Sequence, residues 1–282
     1  MGGEYYKWFT NIPKLYDNII ITWENYLKRN CRGRETMIIG LSGGVDSCLV
    51  ALLARVVCDR LGEFKLIGRF LGIESTEEEL TRSRMMGELF CDQFSICDMT
   101  LGYHQLLENV WPDYSVNYHP DFEERISKGN IKARLRMIYL FDLARRQKGI
   151  VLSTDNYTEW LLGFWTLHGD VGNFGPIQNL WKKEVYELTE HIKGQYEKIN
   201  AGSEVEAIQA CIDAVPTDGL GITSSDTEQF GVDSYSEVDS RLYAYTHGED
   251  FDTSDPVITM HFRTHFKRED PYNISRAQLR RP

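Results

Sequence analysis

The sequence predicts an α/β fold, a doubly wound and mostly parallel sheet with additional C-terminal helices. Three observations carry that expectation. Short apolar runs that read as strands alternate with amphipathic stretches that read as helices through the first half of the chain. The first strand runs straight into a glycine-rich turn and then a helix. Beyond residue 155 the pattern is mainly helical.

Residues 14–29 carry Leu15, Ile19, Trp23 and Leu27 in steps of four, which makes one apolar helical face. Residues 37–41 (MIIGL) read as a short buried strand, and SGGVDS follows directly. Leu49, Leu52, Leu53, Val56 and Val57 then give a helix packed back on the sheet. Residues 64–71 form a second strand, followed by a helix that Ser75 or Thr76 caps, with Glu78 or Glu79 three residues on. Residues 94–97 are a third strand, 103–110 a short helix, 131–146 a helix and 149–153 (GIVLS) a fourth strand. Helices are expected over 156–165, 182–192, 204–213, 235–245 and 256–266. Segments 111–129 and 215–233, rich in Pro, Gly, Asp and Ser, read as loops, and long loops in compact domains are often functional lids. We expect one domain over residues 1–282.

An apolar fraction of 42% and a charged fraction of 26% are those of an ordinary globular protein. The formal net charge of −11 argues against a nucleic-acid partner, which asks for a basic face. Cys31, Cys48, Cys58, Cys91, Cys97 and Cys211 are scattered without a CxxC pair, so free thiols in a reducing cytoplasm are expected and a zinc site is not. The opening MGGEYYKWFTNIPK lacks a signal peptide's apolar core, and no apolar run is long enough to span a bilayer. The expected location is cytoplasmic, with no membrane partner.

The turn Ser42-Gly43-Gly44-Val45-Asp46-Ser47 has the chemistry of an anion cradle. Two glycines let the backbone approach an anion closely, the helix behind adds the positive end of its dipole, and Ser42 and Ser47 add hydroxyls. A carboxylate beside phosphates repels them unless a cation bridges the two. Asp46 therefore points to magnesium. A bare Gly-Gly would be an ordinary turn; SGGxDS between an apolar strand and an amphipathic helix is more specific.

This loop resembles that of the N-type ATP pyrophosphatases, whose adenine nucleotide alpha hydrolase-like fold holds the pyrophosphate expelled when a carboxyl or carbonyl is adenylated. It has no GK[ST], so γ-phosphate transfer is not implied. KGNIKARLRM (128–137), STDNYTEWLLGFWTLHGDVGNFGPI (153–177), VPTDGLG (215–221), SDTEQFGVDSYSEVD and the C-terminal FKR together resemble NAD synthetase. The resemblance covers residues 38–268. It implies ATP-dependent, magnesium-dependent amidation of deamido-NAD by ammonia, giving NAD, AMP and pyrophosphate.

Carried over residue by residue, the resemblance implies ATP contacts at Gly40, Leu41, Ser42, Gly43, Gly44, Val45, Asp46, Ser47, Thr154, Lys182 and Thr217. Asp46 and Glu159 are implied as magnesium ligands, and Asp46 and Lys182 as catalytic. Arg134 and Lys267 are implied as deamido-NAD contacts. Three of them have a plainer alternative: Thr154 as a helix cap, Glu159 as an acid near a helix start, Lys182 as a solvated lysine. Lys132, Arg134 and Arg136 alternate along one helix, so only a subset can reach a ligand.

Three positions depart from the ammonia-dependent pattern. Leu167 stands for a lysine, Phe174 for an aspartate and Phe266 for a histidine, all on the pyridine-nucleotide side. The acceptor pocket is therefore expected to hold fewer charges and more flat apolar surface, and nicotinate mononucleotide stays open as acceptor. The stretch before Ile38 is too short for a glutaminase domain, so ammonia is expected to come from solution or from a separate partner. The family resemblance implies a homodimer. The rival readings are a tRNA-modifying ATP pyrophosphatase, disfavoured by the acidic charge and lone cysteines, and a nucleotide sensor without turnover. Cys48 reads as a packed small residue rather than a sulfur carrier.

Overall fold

The computed structural model describes residues 7–111, 121–169 and 171–269, together with Asn273, Ile274, Arg276 and Leu279. In chain order the elements are α1 (Ile12–Asn30), β1 (Thr36–Gly40), α2 (Val45–Leu61), β2 (Lys65–Gly72), α3 (Glu77–Phe90), β3 (Gln93–Asp98) and α4 (Thr100–Val110). Then come α5 (Phe122–Arg146), β4 (Gly149–Val151), α6 (Tyr157–Leu162), α7 (Lys182–Lys198) and α8 (Gly202–Ile212). The C-terminal part adds α9 (Asp226–Phe230), α10 (Tyr235–Thr246), α11 (Pro256–Arg263) and a 3-10 turn over His265–Glu269.

The sheet has the order β3-β2-β1-β4, and all three pairings are parallel. The central strand β1 is buried on both faces, which is why it reads as a continuous apolar run rather than an alternating one, while the edge strand β3 is largely exposed. Met37 and Ile39 face a core with α1, α2, α3, α7 and α8, while Ile38 faces Ile67, Val151 and the α5 residues Leu143 and Ala144. The two crossovers through α2 and α3 lie on the first face, and the return through α5 lies on the second. The strand order thus reverses at β1, and the crevice outside the carboxyl ends of β1 and β4 is the topological switch point where ligands bind in such sheets.

Local chemistry sets the boundaries. Thr76 and Glu79 form a capping box that starts α3, as Ser75 or Thr76 with Glu78 or Glu79 predicted. The segment 111–129 is not all loop. Asp121 and Glu124 make a second capping box, so α5 begins nine residues before the expected start at 131. Residues 112–120 of that expected loop lie outside the described residues. The 215–233 loop likewise contains α9, capped by Ser225. Helix α6 stops at Leu162 rather than 165 because Gly163 takes a left-handed φ of 63° as its cap. Strand β4 ends at Val151, with Leu152 forming only a lone bridge to Phe174.

Candidate active site

The phosphate loop is shaped by its own hydrogen bonds. The Ser42 and Ser47 hydroxyls lie 3.1 Å apart, the Gly44 N–H donates to Ser42 Oγ at 3.3 Å, and Ser47 Oγ donates to the Gly44 carbonyl at 3.1 Å. Gly43 has φ +83°, and a Cβ there would lie 2.8 Å from the Glu79 carbonyl oxygen, so only glycine fits. Arg82 Nε donates to the Gly43 carbonyl at 2.8 Å and Ser83 Oγ to that of Leu41 at 2.9 Å, tying the loop to α3. Gly44 caps α2 without a side-chain bond, which leaves the amino end of a 17-residue helix open toward the crevice.

Beside the loop lies a buried charge cluster. Lys182 Nζ, at the start of α7, sits 2.5 Å from Asp46 Oδ2 and 3.3 Å from Glu159 Oε1. Side-chain exposures of 3%, 18% and 14% for Lys182, Asp46 and Glu159 put these charges outside the screened surface regime. Asn156 joins both carboxylates: its Nδ2 donates to Asp46 Oδ1 at 2.8 Å, and it forms a capping box with Glu159. Burial raises the Glu159 carboxyl above the usual range, with the Lys182 ammonium pulling the other way. Burial opposes the Lys182 charge, but Asp46 and Glu159 outweigh it and hold the ammonium above its ordinary value.

Loop and cluster line one cavity of about 660 Å³. Gly40, Leu41, Ser42, Gly44, Val45, Asp46 and Ser47 enter it from the end of β1, and Thr154 and Glu159 from beyond β4. Lys182, Thr217 and Lys267 complete the sequence-derived set. Lys267 Nζ donates to the carbonyls of Gly163 at 2.7 Å and Trp165 at 2.6 Å. Gly43 is not among the residues that line the cavity. Arg134 is exposed on α5, with its Nε donating to the Leu167 carbonyl at 3.3 Å, and lies outside the cavity. Arg136, two residues on, lines it instead.

The expected aromatic wall is only partly there. Phe266 lines the cavity, but Leu167 and Phe174 do not. Phe174 packs on the opposite side, 4.5 Å from the Tyr26 ring and 5.0 Å from Trp23, against the main core. Its bridge to Leu152 sets that orientation. Asp170, in the same departing segment, lies outside the described residues.

Sequence reasoning missed Arg69 and Asp226, both in the cavity wall. Arg69 Nε and Asp226 Oδ1 are buried and, among the described residues, without a partner. Burial raises the Asp226 carboxyl to about 6. A lone arginine inside an otherwise apolar strand was a legible signal for the first; nothing local marked the second. Cys48 is packed as expected, its Sγ 3.7 Å from Met86 Sδ, with its thiol pushed up by burial.

As a donor set, Asp46 and Glu159 offer hard carboxylate oxygens, and among the described residues no three His, Cys, Asp or Glu side chains gather into a metal site. Two carboxylates completed by phosphates and water is how magnesium–nucleotide sites are built, so the residues fit that ion. Among the described residues, no helix is long and apolar enough to cross a membrane.

A parallel sheet whose switch point holds a lysine-free glycine loop, an open helix end and a carboxylate–lysine cluster defines a nucleotide-binding α/β enzyme. Comparison with known proteins narrows this. The family model for NAD synthase matches residues 16–271. The chain is 31% identical over 257 residues to the NH3-dependent NAD+ synthetase of Mycoplasmopsis pulmonis, covering 90% of this chain and 88% of that one. It is 34% identical over 214 residues to the Methanopyrus kandleri NH3-dependent NAD+ synthetase, covering 75% and 68%. Among solved structures, the NMN synthetase from Francisella tularensis superposes with a TM-score of 0.76 at 22% identity, covering 95% of this chain and 100% of that one. The NAD+ synthetase from Burkholderia pseudomallei gives 0.67 at 22% identity, covering 93% and 92%. The chain belongs to the NAD synthase family and is a ligase that forms a C–N bond by ATP-dependent amidation.

Proposed function

We propose that this chain amidates deamido-NAD with ammonia, using ATP and passing through an acyl-adenylate, to give NAD, AMP and pyrophosphate. The observation that carries the reading is the meeting, in one cavity, of the phosphate loop with the Asp46–Lys182–Glu159 cluster. The acceptor and the nitrogen source rest on the two curated relatives, both NH3-dependent NAD+ synthetases.

A nicotinate carboxylate is a poor electrophile, since its charge repels nucleophiles and oxide does not leave. Its attack on the α-phosphorus of ATP forms a mixed anhydride and expels pyrophosphate. The loop N–H groups, the α2 amino end and the Ser42 and Ser47 hydroxyls hold that pyrophosphate. Lys182 neutralises charge that develops on the transferring oxygens. Ammonia then attacks the carbonyl carbon, AMP leaves, and the extra nitrogen proton passes to water. Asp46 and Glu159 would hold magnesium, which supplies charge neutralisation between the phosphates. Thr154 and Thr217 flank the nucleotide. Among the cations that line the cavity, Lys267 and Arg136 are the ones we assign to the acceptor's phosphates. Arg134 takes part only where the acceptor extends beyond the cavity wall. The reading includes one domain over the whole chain, a cytoplasmic location and a homodimer, the last checked by sedimentation.

The test supplies the pure protein with ATP, magnesium and ammonium, and either deamido-NAD or nicotinate mononucleotide. AMP should appear in step with NAD, and ammonia-free glutamine should not replace ammonium. A higher kcat/KM with the mononucleotide would move the acceptor to the smaller substrate. Pyrophosphate release without amide formation would remove the reading altogether.

A further inference from the structure

Helix α7 presents Lys182 to the cavity, yet the residue before it, Trp181, offers no side-chain cap to the helix. The first-turn N–H groups find acceptors elsewhere. Lys182 N donates to Thr158 Oγ1 at 2.9 Å, and Lys183 N donates to Asp239 Oδ2 at 2.9 Å. The Thr158 hydroxyl then donates to Asp239 Oδ1 at 2.5 Å. Thr158 precedes Glu159 on α6, while Asp239 comes from α10. Both are buried, with exposures of 0% and 1%, and neither lines the cavity.

We propose that Asp239 is a positioning residue for the reaction, acting through Thr158 to hold the first turn of α7 and the Glu159 turn of α6 in one register. This rests on the role given above to Lys182. The carboxylate is suited to the task because both of its oxygens accept, one from a hydroxyl and one from a backbone N–H at a helix start. An asparagine of the same shape has one acceptor and one donor. Either the Thr158 hydroxyl or the Lys183 N–H then faces an opposing donor, and one of the two helices shifts. Lys182 Nζ is set between two carboxylates with a span of a few ångströms, so a displacement well under that span already separates it from one of them.

The experiment measures kcat, KM for ATP and Tm for Asp239→Asn, Thr158→Val, Thr158→Ser and the Asp239→Asn/Thr158→Val double variant, assayed with ATP, magnesium, ammonium and deamido-NAD. Val238→Ala, a buried neighbour on α10, serves as a stability control. Misplacement of a charge-neutralising group should lower kcat about tenfold or more in Asp239→Asn and in Thr158→Val, while KM for ATP moves little. Thr158→Ser keeps the hydroxyl and should keep kcat. The double variant should be no slower than the slower single one, because both break the same linkage. Val238→Ala should lose Tm and retain kcat. The inference is overturned if Asp239→Asn, or Thr158→Val where the former does not fold, loses Tm but keeps kcat. It is also overturned if Val238→Ala loses kcat alongside Tm. A Lys182→Met variant separates the two levels: full kcat there refutes the site reading itself, whereas a dead Lys182→Met beside an active Asp239→Asn refutes only the linkage.

Discussion

Replacing Lys182 by Met tests the charge cluster without chemistry. The thioether chain fills nearly the same volume as the lysine stem, so packing is largely kept. What disappears is the cation placed between Asp46 Oδ2 at 2.5 Å and Glu159 Oε1 at 3.3 Å. With the lysine 3% exposed, solvent cannot substitute for it. Removing one partner of a buried ion pair typically costs about 3–5 kcal/mol. At roughly 2–4 °C per kcal/mol for a chain of this size class, the melting temperature should fall by roughly 6–20 °C. The assay is thermal unfolding followed by circular dichroism, with and without magnesium chloride. Magnesium should raise the variant's Tm more than the wild type's, because a second cation now has two uncompensated carboxylates to bind; full occupancy at a hundredfold excess over Kd contributes about 2.7 kcal/mol. A fall of less than about 3 °C, insensitive to magnesium, would show that the cluster is not a buried charge system in solution.

Gly43→Ala should weaken ATP binding while leaving the fold intact. The left-handed φ of +83° costs a non-glycine residue about 1–2 kcal/mol, and the new Cβ must also displace the Glu79 carbonyl at 2.8 Å; an unchanged KM for ATP and an unchanged Tm would refute the argument. Glu184 is buried, accepts from the N–H groups of Phe9 and Trp181, and has its carboxyl raised by burial from 4.5 to about 7. A carboxyl raised on folding contributes stability that is complete below its unfolded value and lost as pH rises through its folded one. Urea unfolding should therefore show wild type gaining on Glu184→Gln as pH falls from about 7 toward 4.5, and a pH-independent difference would exclude that role.

The sheet and the phosphate loop were legible because they are built from local signals. Ile38 and its neighbours form an apolar run of strand length, and Gly43 and Gly44 follow at the one place where the backbone must turn tightly. The start of α5 was equally local: Asp121 and Glu124 stand three apart, but the composition of the preceding stretch masked them. Other features were not local at all. The side to which Phe174 turns depends on a bridge to Leu152, 22 residues earlier, and only the assembled sheet fixes it. That Arg136 rather than Arg134 faces the cavity follows from the rotation of α5 on the sheet, where Leu143 and Ala144 are buried. Asp226 joins the cavity wall through Tyr235, whose hydroxyl donates to it at 2.9 Å, and Tyr235 in turn lies 4.6 Å under Lys182. No short-range pattern encodes such a chain of contacts.

The segment carrying Thr217 is held to α5 in an unusual manner. Arg136 Nη2 donates to the Gly219 carbonyl at 3.1 Å, and Lys132 Nζ to the Leu220 carbonyl at 3.0 Å. Every residue type supplies a carbonyl oxygen. The attachment to α5 is therefore indifferent to most side chains of the segment it secures, apart from the glycines at φ +63° and +76° that allow its path and Asp218, whose carboxylate accepts from Leu220 N at 2.9 Å and Gln229 Nε2 at 3.0 Å. A tether of this kind lets the wall of the cavity accumulate substitutions without coming loose. Positions 215 and 220 are thus where a library aimed at a different acceptor could be placed, with Arg136, Lys132, the two glycines, the hydrogen-bonded Asp218 and the buried Ile222 left alone.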